Sequence, residues 1–183
     1  IENQFIVLDD AKHVIGIDPT DGGNVIIENV KNGKAGKFGW SASFQNYIIT
    51  MVYDEDKEFL YTAVVEGRLY KYKVNTSSKT GQKIKEYGDL GIGHIGSSHR
   101  FLNLVFFGGK ERKIRVLDLS TGELLQGHLE TSVGWTRSLQ VCVKSHSEIY
   151  LAVSGSKIDY SNDRTDLFDL SGLIPNDPEI LQK

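Results

Sequence analysis

One turn pattern recurs along the chain at nearly constant spacing. In each copy a strand-like run ends in a bulky residue, usually followed by Asp and a turn: "VIGIDPTDGG", "LYKYKVNTSSKTG", "IRVLDLSTGE" and "DLFDLSG". The bulky residues are Ile17, Tyr72, Leu117 and Phe168, which are 55, 45 and 51 residues apart. A repeat of roughly 50 residues that holds four strands has the size of one propeller blade.

The segments between these turns are short runs of branched, aliphatic and aromatic residues. Such runs favour β-strands because their side chains pack well on a pleated surface. Only "DPEILQK" at 177–183 has a pattern compatible with a helix. The sequence therefore predicts an all-β protein. The candidate strands are residues 4–8, 14–17, 24–28, 47–53, 59–66, 69–74, 101–107, 113–119, 138–143, 148–153 and 166–170.

A second pattern consists of a glycine, a flat ring and then small or polar residues before an apolar strand. Residues 39–44, 93–98 and 134–139 align in this way without gaps. The alignment places Trp40, His94 and Trp135 at equivalent positions.

In these two patterns the chain resembles the WD-repeat family of β-propellers. In that family a Gly-His before the innermost strand of a blade is followed by Trp-Asp at the end of its third strand. No repeat here keeps both dipeptides and Trp never precedes the Asp, so the repeats are degenerate. The corresponding pairs are Gly39-Trp40 with Tyr72-Lys73, Gly93-His94 with Leu117-Asp118, and Gly134-Trp135 with Phe168-Asp169.

The resemblance implies a β-propeller of four-stranded antiparallel blades, with 1–183 as one propeller region. The blade-like units are approximately 1–30, 38–87, 91–130 and 134–170. Because the first unit lacks a first strand and the last lacks an obvious fourth, we expect an arc of about four blades from a larger propeller. A four-bladed ring with irregular ends is the alternative.

Residues 91–96 contain a G-x-G-x-x-G motif at Gly91, Gly93 and Gly96. A dinucleotide site requires a helix to open at the last glycine, because the free N–H groups at its N-terminus hold the pyrophosphate. The residues that follow, "SSHRFLNLVFFGG", are strand material instead. We therefore expect these glycines to form a tight loop into the first strand of a blade.

Composition narrows the classes of partner. With 21 Lys and Arg against 24 Asp and Glu, the net charge of −3 favours neither nucleic acid nor an anionic membrane. No run approaches the roughly 18 apolar residues of a membrane span, and no signal peptide is evident, so the sequence predicts a soluble protein and favours the cytoplasm.

Cys142, in the apolar run "LQVCV", is expected to be a small core residue.

One loop, "DYSNDRTD" at 159–166, concentrates oxygen ligands of the kind that Ca²⁺ prefers. Asp159, Asn162, Asp163 and Asp166 do not have the spacing of an EF-hand. The sequence favours a solvated loop, and it predicts neither a metal nor a cofactor.

The candidate partner-binding residues are those of the aligned loops and their neighbours. Trp40, His94 and Trp135 would cluster toward one face of a propeller, and Arg100 and Arg137 could join them. Aromatic and Arg side chains dominate binding hot spots. The alternative is that both tryptophans pack between neighbouring blades.

These observations predict a non-enzymatic interaction or scaffold module that binds a protein partner through loops on one face. No nucleophile elbow or zinc-protease motif occurs in the sequence. Two alternatives remain open. One is a quinoprotein-like or metal-dependent enzyme, suggested by "VLDLSTGELL" at 116–125. The other is a structural subunit of a large assembly, suggested by the incomplete blades.

Overall fold

The structure is a computed structural model, and the residues it describes form antiparallel β-sheets and contain no helix. No membrane-spanning helix is therefore found in this part of the chain. The chain divides into two units, residues 1–90 and 91–183. The described residues are 5–7, 13–18, 24–31, 34–35, 41–42, 48–54, 56–64, 66–75, 80–145, 148–157 and 163–173.

The first unit contains two sheets. In one, the strand order is β1-β2-β3-β4, and β5 also pairs with β3. Its strands are β1 (Phe5–Val7), β2 (His13–Asp18), β3 (Asn24–Lys31), β4 (Lys34–Ala35) and β5 (Ser41–Ala42). The other sheet follows chain order, with β6 (Ile48–Asp54), β7 (Phe59–Val64), β8 (Arg68–Asn75) and β9 (Thr80–Asp89).

The second unit repeats this plan. One sheet has the order β10-β11-β12-β13, with β14 also beside β12. Its strands are β10 (Ser97–Phe101), β11 (Leu104–Gly108), β12 (Lys113–Asp118), β13 (Glu123–Leu124) and β14 (Leu129–Glu130). The last sheet consists of β15 (Trp135–Ser145), β16 (Glu148–Ser156) and β17 (Asp163–Asp169). Sheets of three to five antiparallel strands have the size of propeller blades.

The core of the second unit combines residues from both of its sheets. On β16 every second residue is buried, as expected when one face of a strand packs against a core. Because Ile149, Leu151 and Val153 are branched aliphatic residues, the local pattern and the burial agree along this part of the strand. The fully or nearly buried cluster comprises Phe106, Ile114, Val116, Val133, Leu139, Val141, Ile149, Leu151, Val153 and Leu170.

The pairing registers confirm the repeat at three of its four turns. Two residues after Tyr72, Leu117 and Phe168 lies a fully or nearly buried residue whose N–H donates to a carbonyl at or just before the beginning of the second strand of the same sheet. The bonds are Val74 N to Glu58 O at 2.8 Å, Leu119 N to Asn103 O at 2.6 Å, and Leu170 N to Ile149 O at 2.8 Å.

Two of these turns also share their side-chain chemistry. Asp118 Oδ1 accepts hydrogen bonds from the N–H and the hydroxyl of Ser120, at 2.8 and 2.6 Å. Asp169 Oδ1 accepts the same pair from Ser171, at 2.8 and 2.5 Å. The Asp that the repeat places after the bulky residue therefore closes the turn at the end of the third strand.

The structure corrects the fourth copy of the repeat. Ile17 lies on β2, the second strand of its sheet, and not at the end of a third strand. The third strand of that sheet is β3, which ends at Lys31 and has no Asp at that point. The "VIGIDPTDGG" stretch therefore resembles the other turns in composition only.

The alignment of the glycine loops is also corrected in part. Equivalent positions on the first two strands of three sheets are occupied by the pairs Thr50–Ala63, Ser97–Gly108 and Ser138–Ser154. Gly93 lies four residues before Ser97, and Gly134 likewise lies four residues before Ser138. Gly39 lies eleven residues before Thr50. Ser41 and Ala42, which follow Trp40, pair with β3 as an outer strand of the first sheet.

Cys142 is exposed, which contradicts the expectation of a core cysteine. On the part of β15 around the cysteine the buried residues are Leu139 and Val141, so the strand's alternation directs residue 142 to the opposite face. An apolar run does not by itself tell which of its residues face the core.

Candidate functional site

Two loops of the second unit are joined by their backbones. Lys110 N and Glu111 N both donate to Ile92 O, at 2.8 and 3.2 Å. Gly91 and Gly93 have φ values of 67° and 62°, in the left-handed region that favours glycine. These residues therefore turn the chain sharply, as the sequence predicts, and loop 91–96 is held against loop 109–112.

Gly96 serves a different purpose from the other two glycines of the motif. A Cβ placed there would lie 2.0 Å from Thr136 O and 2.7 Å from Trp135 Nε1. The absence of a side chain at residue 96 thus lets the beginning of β15 approach the neighbouring sheet. This approach is held by a hydrogen bond from Thr136 N to Gly109 O, at 3.0 Å, just after β11. Residue 96 is therefore crowded by the adjacent strand β15.

Trp135 lies at this close approach and is partly buried. Its ring contacts two cations: Lys110 Nζ lies 4.2 Å and Arg137 Cζ 3.9 Å from a ring centroid. Cations near an aromatic ring are attracted by the negative charge of its face, which is worth about 0.5–1 kcal/mol at exposed sites. Trp135 therefore packs between the two sheets and also orients Lys110 and Arg137, and we call these three residues the Trp135 cluster.

The structure brings together some of the candidate partner-binding residues but not all. His94 is exposed in loop 91–96, and its backbone is adjacent to that of Gly109. Arg137 is exposed beside Trp135. These residues border one surface formed by loop 91–96, loop 109–112 and the beginning of β15.

Two candidates are not placed on this surface. Arg100 lies three residues further along β10 than Ser97, roughly 10 Å away along the strand, and its Nε donates to Leu102 O at 3.1 Å. Trp40 lies outside the described residues, so its predicted role stays a prediction.

Lys110 is part of the cluster but is missing from the sequence-based candidates. The run "KERK" at 110–113 follows the Gly-Gly turn after β11, and it is the signal that could have identified this residue. Sequence alone does not show that the turn lies beside residue 135.

The Asp-rich loop is only partly described. Asp166 lies on β17, where Oδ2 accepts bonds from Thr131 Oγ1 at 2.6 Å and Ser132 N at 2.5 Å, and Oδ1 accepts one from Ser132 Oγ at 2.7 Å. Burial disfavours its charge, but these hydrogen bonds and the positive charge of Arg164 outweigh this effect and lower the pKa of Asp166. Asp166 therefore anchors the segment that precedes β15.

Of the other candidate ligands in this loop, the structure describes only Asp163. Asp163 is exposed on β17, and Asp159 and Asn162 lie outside the described residues. Within the described ranges no group of three or more His, Cys, Asp or Glu side chains is arranged to hold a metal ion.

Comparison with known proteins identifies a fold but not a family. No family profile matches the chain, and no curated protein matches it in sequence. Its structure resembles that of the computationally designed Ika4 protein, with a TM-score of 0.59 and 15% identity over 86% of this chain and 85% of that one.

A second solved structure that the chain resembles is that of Sqt1 from Saccharomyces cerevisiae, a WD40 protein. The TM-score is 0.65 and the identity 12%, and the match covers 92% of this chain and 45% of Sqt1. The chain thus has a WD-repeat-like, β-rich fold and spans less than half the length of Sqt1.

Proposed function

We propose that this chain is a non-enzymatic interaction module that binds a protein partner through the surface around the Trp135 cluster. In this proposal its sheets are β-propeller blades, and they form an arc of about four blades from a larger propeller. The sizes and the sequential strand order of the sheets, together with the similarity to a WD40 protein, support the propeller.

The observation that carries the proposal is the convergence of two loops and the start of β15 around a partly exposed tryptophan and arginine. Trp and Arg are enriched at binding hot spots because they offer large contact areas at low entropic cost. The backbone bonds from Lys110 and Thr136 fix this surface in place before any partner arrives. A preorganised surface loses little conformational entropy on binding.

Site-specific photo-crosslinking tests the proposal. A photo-reactive amino acid replaces His94 or Glu111, which are exposed in the two loops, and leaves the Trp135 cluster intact. The control position is Lys144, which is exposed on the same strand as Arg137 but roughly 23 Å further along it.

We expect both loop positions to crosslink the same protein in a native extract. Excess unlabelled protein should suppress that crosslink, and position 144 should not give it. If position 144 captures the same protein as efficiently, or if neither loop position forms a competable crosslink, the partner-binding surface lies elsewhere or does not exist.

A further inference from the structure

The Trp135 cluster holds two positive charges close together. Lys110 Nζ and Arg137 Cζ both lie within 4.2 Å of a Trp135 ring centroid, so the two cations are separated by no more than about twice that distance. Their backbones are anchored separately, in loop 109–112 and in β15. Folding therefore imposes this proximity.

The two cations of the cluster are not paired with carboxylates in the part of the chain that the structure describes. Neither Lys110 nor Arg137 forms an ion pair there, whereas other exposed cations do. Two like charges held near each other repel, and an anion bound beside them would reduce that repulsion. The paired cations are Arg68 with Glu86, Lys73 with Glu58 and Lys144 with Glu148.

The chemistry of the two cations indicates the kind of anion. A guanidinium presents a planar fork of donors that matches a carboxylate, and an ammonium adds a point charge with freely directed donors. The protein as a whole is negative, with a net charge of −3, so a negative ligand would be attracted by this local surface and not by the overall charge.

We propose that the Trp135 cluster binds an acidic segment, rich in Asp and Glu, of the protein partner. This inference rests on the proposed function and specifies the chemistry of the partner at the same surface. Carboxylates of the segment contact Arg137 and Lys110, and the Trp135 ring keeps both cations in position.

Fluorescence anisotropy with a labelled short polyglutamate peptide tests this assignment, with a polyglutamine peptide of equal length as the uncharged control. We expect the glutamate peptide to bind at least about tenfold more tightly, and its affinity to fall as salt is added. Lys110→Gln and Arg137→Gln should each weaken binding by about fivefold or more, because each removes one of the two charges. Lys144→Gln, on the same strand as Arg137, should change it by less than about twofold.

Equal affinity for both peptides, or equal effects of all three substitutions, would overturn the assignment. Thermal melts verify that each variant is folded. If one of them is not, the comparison of the two peptides and the salt dependence of the wild type still decide. If the glutamate peptide does not bind but positions 94 and 111 still crosslink a protein, only the proposal of an acidic segment is refuted. If the peptide binds but those crosslinks do not form, the proposal of a protein-interaction module is refuted.

Discussion

At the scale of single residues, glycine controls how closely the two sheets of the second unit approach. Gly96 and Gly108 face β15, where an added Cβ would lie 2.0 Å from Thr136 O and 2.6 Å from Thr136 Cγ2 respectively. The contact between the sheets thus depends on the absence of side chains at Gly96 and Gly108. Gly155 of β16 is equally crowded by Trp135 O, at 2.0 Å, but there the contact is within the last sheet, where Gly155 pairs with Thr136.

Gly96→Ala is therefore expected to destabilise the protein by about 1–3 kcal/mol, because the new methyl group overlaps a backbone oxygen that cannot move freely. Urea unfolding measures the change. Gly172→Ala is the matched control, since nothing lies within 4 Å of a Cβ at that position and it should change stability little. Equal stabilities of the two variants would show that β15 is not packed against residue 96.

Trp135→Ala should lower the free energy of unfolding by about 3 kcal/mol, the lower part of the range for such truncations because the ring is only partly buried. The loss of ring packing and of both cation contacts is the cause. Thermal melts alongside Arg137→Ala provide the comparison, since that variant removes one cation but leaves the ring. An unchanged melting temperature for Trp135→Ala would mean that the ring is a partner contact and not a packing element.

At the scale of elements, aspartates hold strand ends and connections in place. Asp118 and Asp169 close equivalent turns through Ser120 and Ser171. Asp166 instead joins β17 to residues 131–132, which lead into β15. The connection into the last sheet is therefore fastened to that sheet's third strand.

Asp166→Asn should destabilise the protein by about 1–2 kcal/mol at pH 7, because the amide turns a donor group toward Thr131 and Ser132. Since the pKa of Asp166 is lowered in the folded protein, its ionised form stabilises folding above its ordinary pKa of about 4. That stabilisation is lost as the pH falls from about 4 through the lowered folded value.

The stability difference between wild type and Asp166→Asn should consequently shrink as melts are taken from pH 7 to below pH 4. Asp163→Asn, an exposed change on the same strand, is the control and should follow the wild type throughout. A difference that stays constant with pH would show that the charge of Asp166 is not what anchors the connection.

At the scale of the whole molecule, consecutive antiparallel sheets account for the described residues in both units. Among the described residues, each of the first three sheets contains four or five strands. The last has three, and its outermost strand β17 carries Leu167 with 67% of its surface exposed. Burial thus decreases at that edge, in contrast to β7, where Leu60 to Val64 are all buried.

Circular dichroism of the purified chain should show a β-sheet spectrum without the double minimum of α-helix. The physical reason is that the described residues contain no helix, so peptide dipoles are coupled along strands only. A denatured sample is the reference for disordered chain. A spectrum with helix as its main component would contradict the fold.

Local signals in the sequence predicted most strands but not every turn. "FLNLVFF" at 101–107 reads as one strand, whereas the structure has a hairpin there, with Phe101 paired to Leu104 and Leu102 at a φ of 52°. Leu rarely adopts this conformation, so Asn103 alone favours a turn at this site and the local signal is weak. β9 is equally inconspicuous in sequence, because its residues are mostly polar.

The sequence by itself determined the all-β class and the repeat at Tyr72, Leu117 and Phe168, because side-chain alternation and turn residues act over a few positions. The tertiary structure alone decided that residues 41–42 join the first sheet, that Cys142 faces outward, and that Lys110 meets Trp135. These outcomes depend on strand register and on contacts between sheets. Such contacts join residues far apart in the chain, and no local pattern encodes which partner each residue meets.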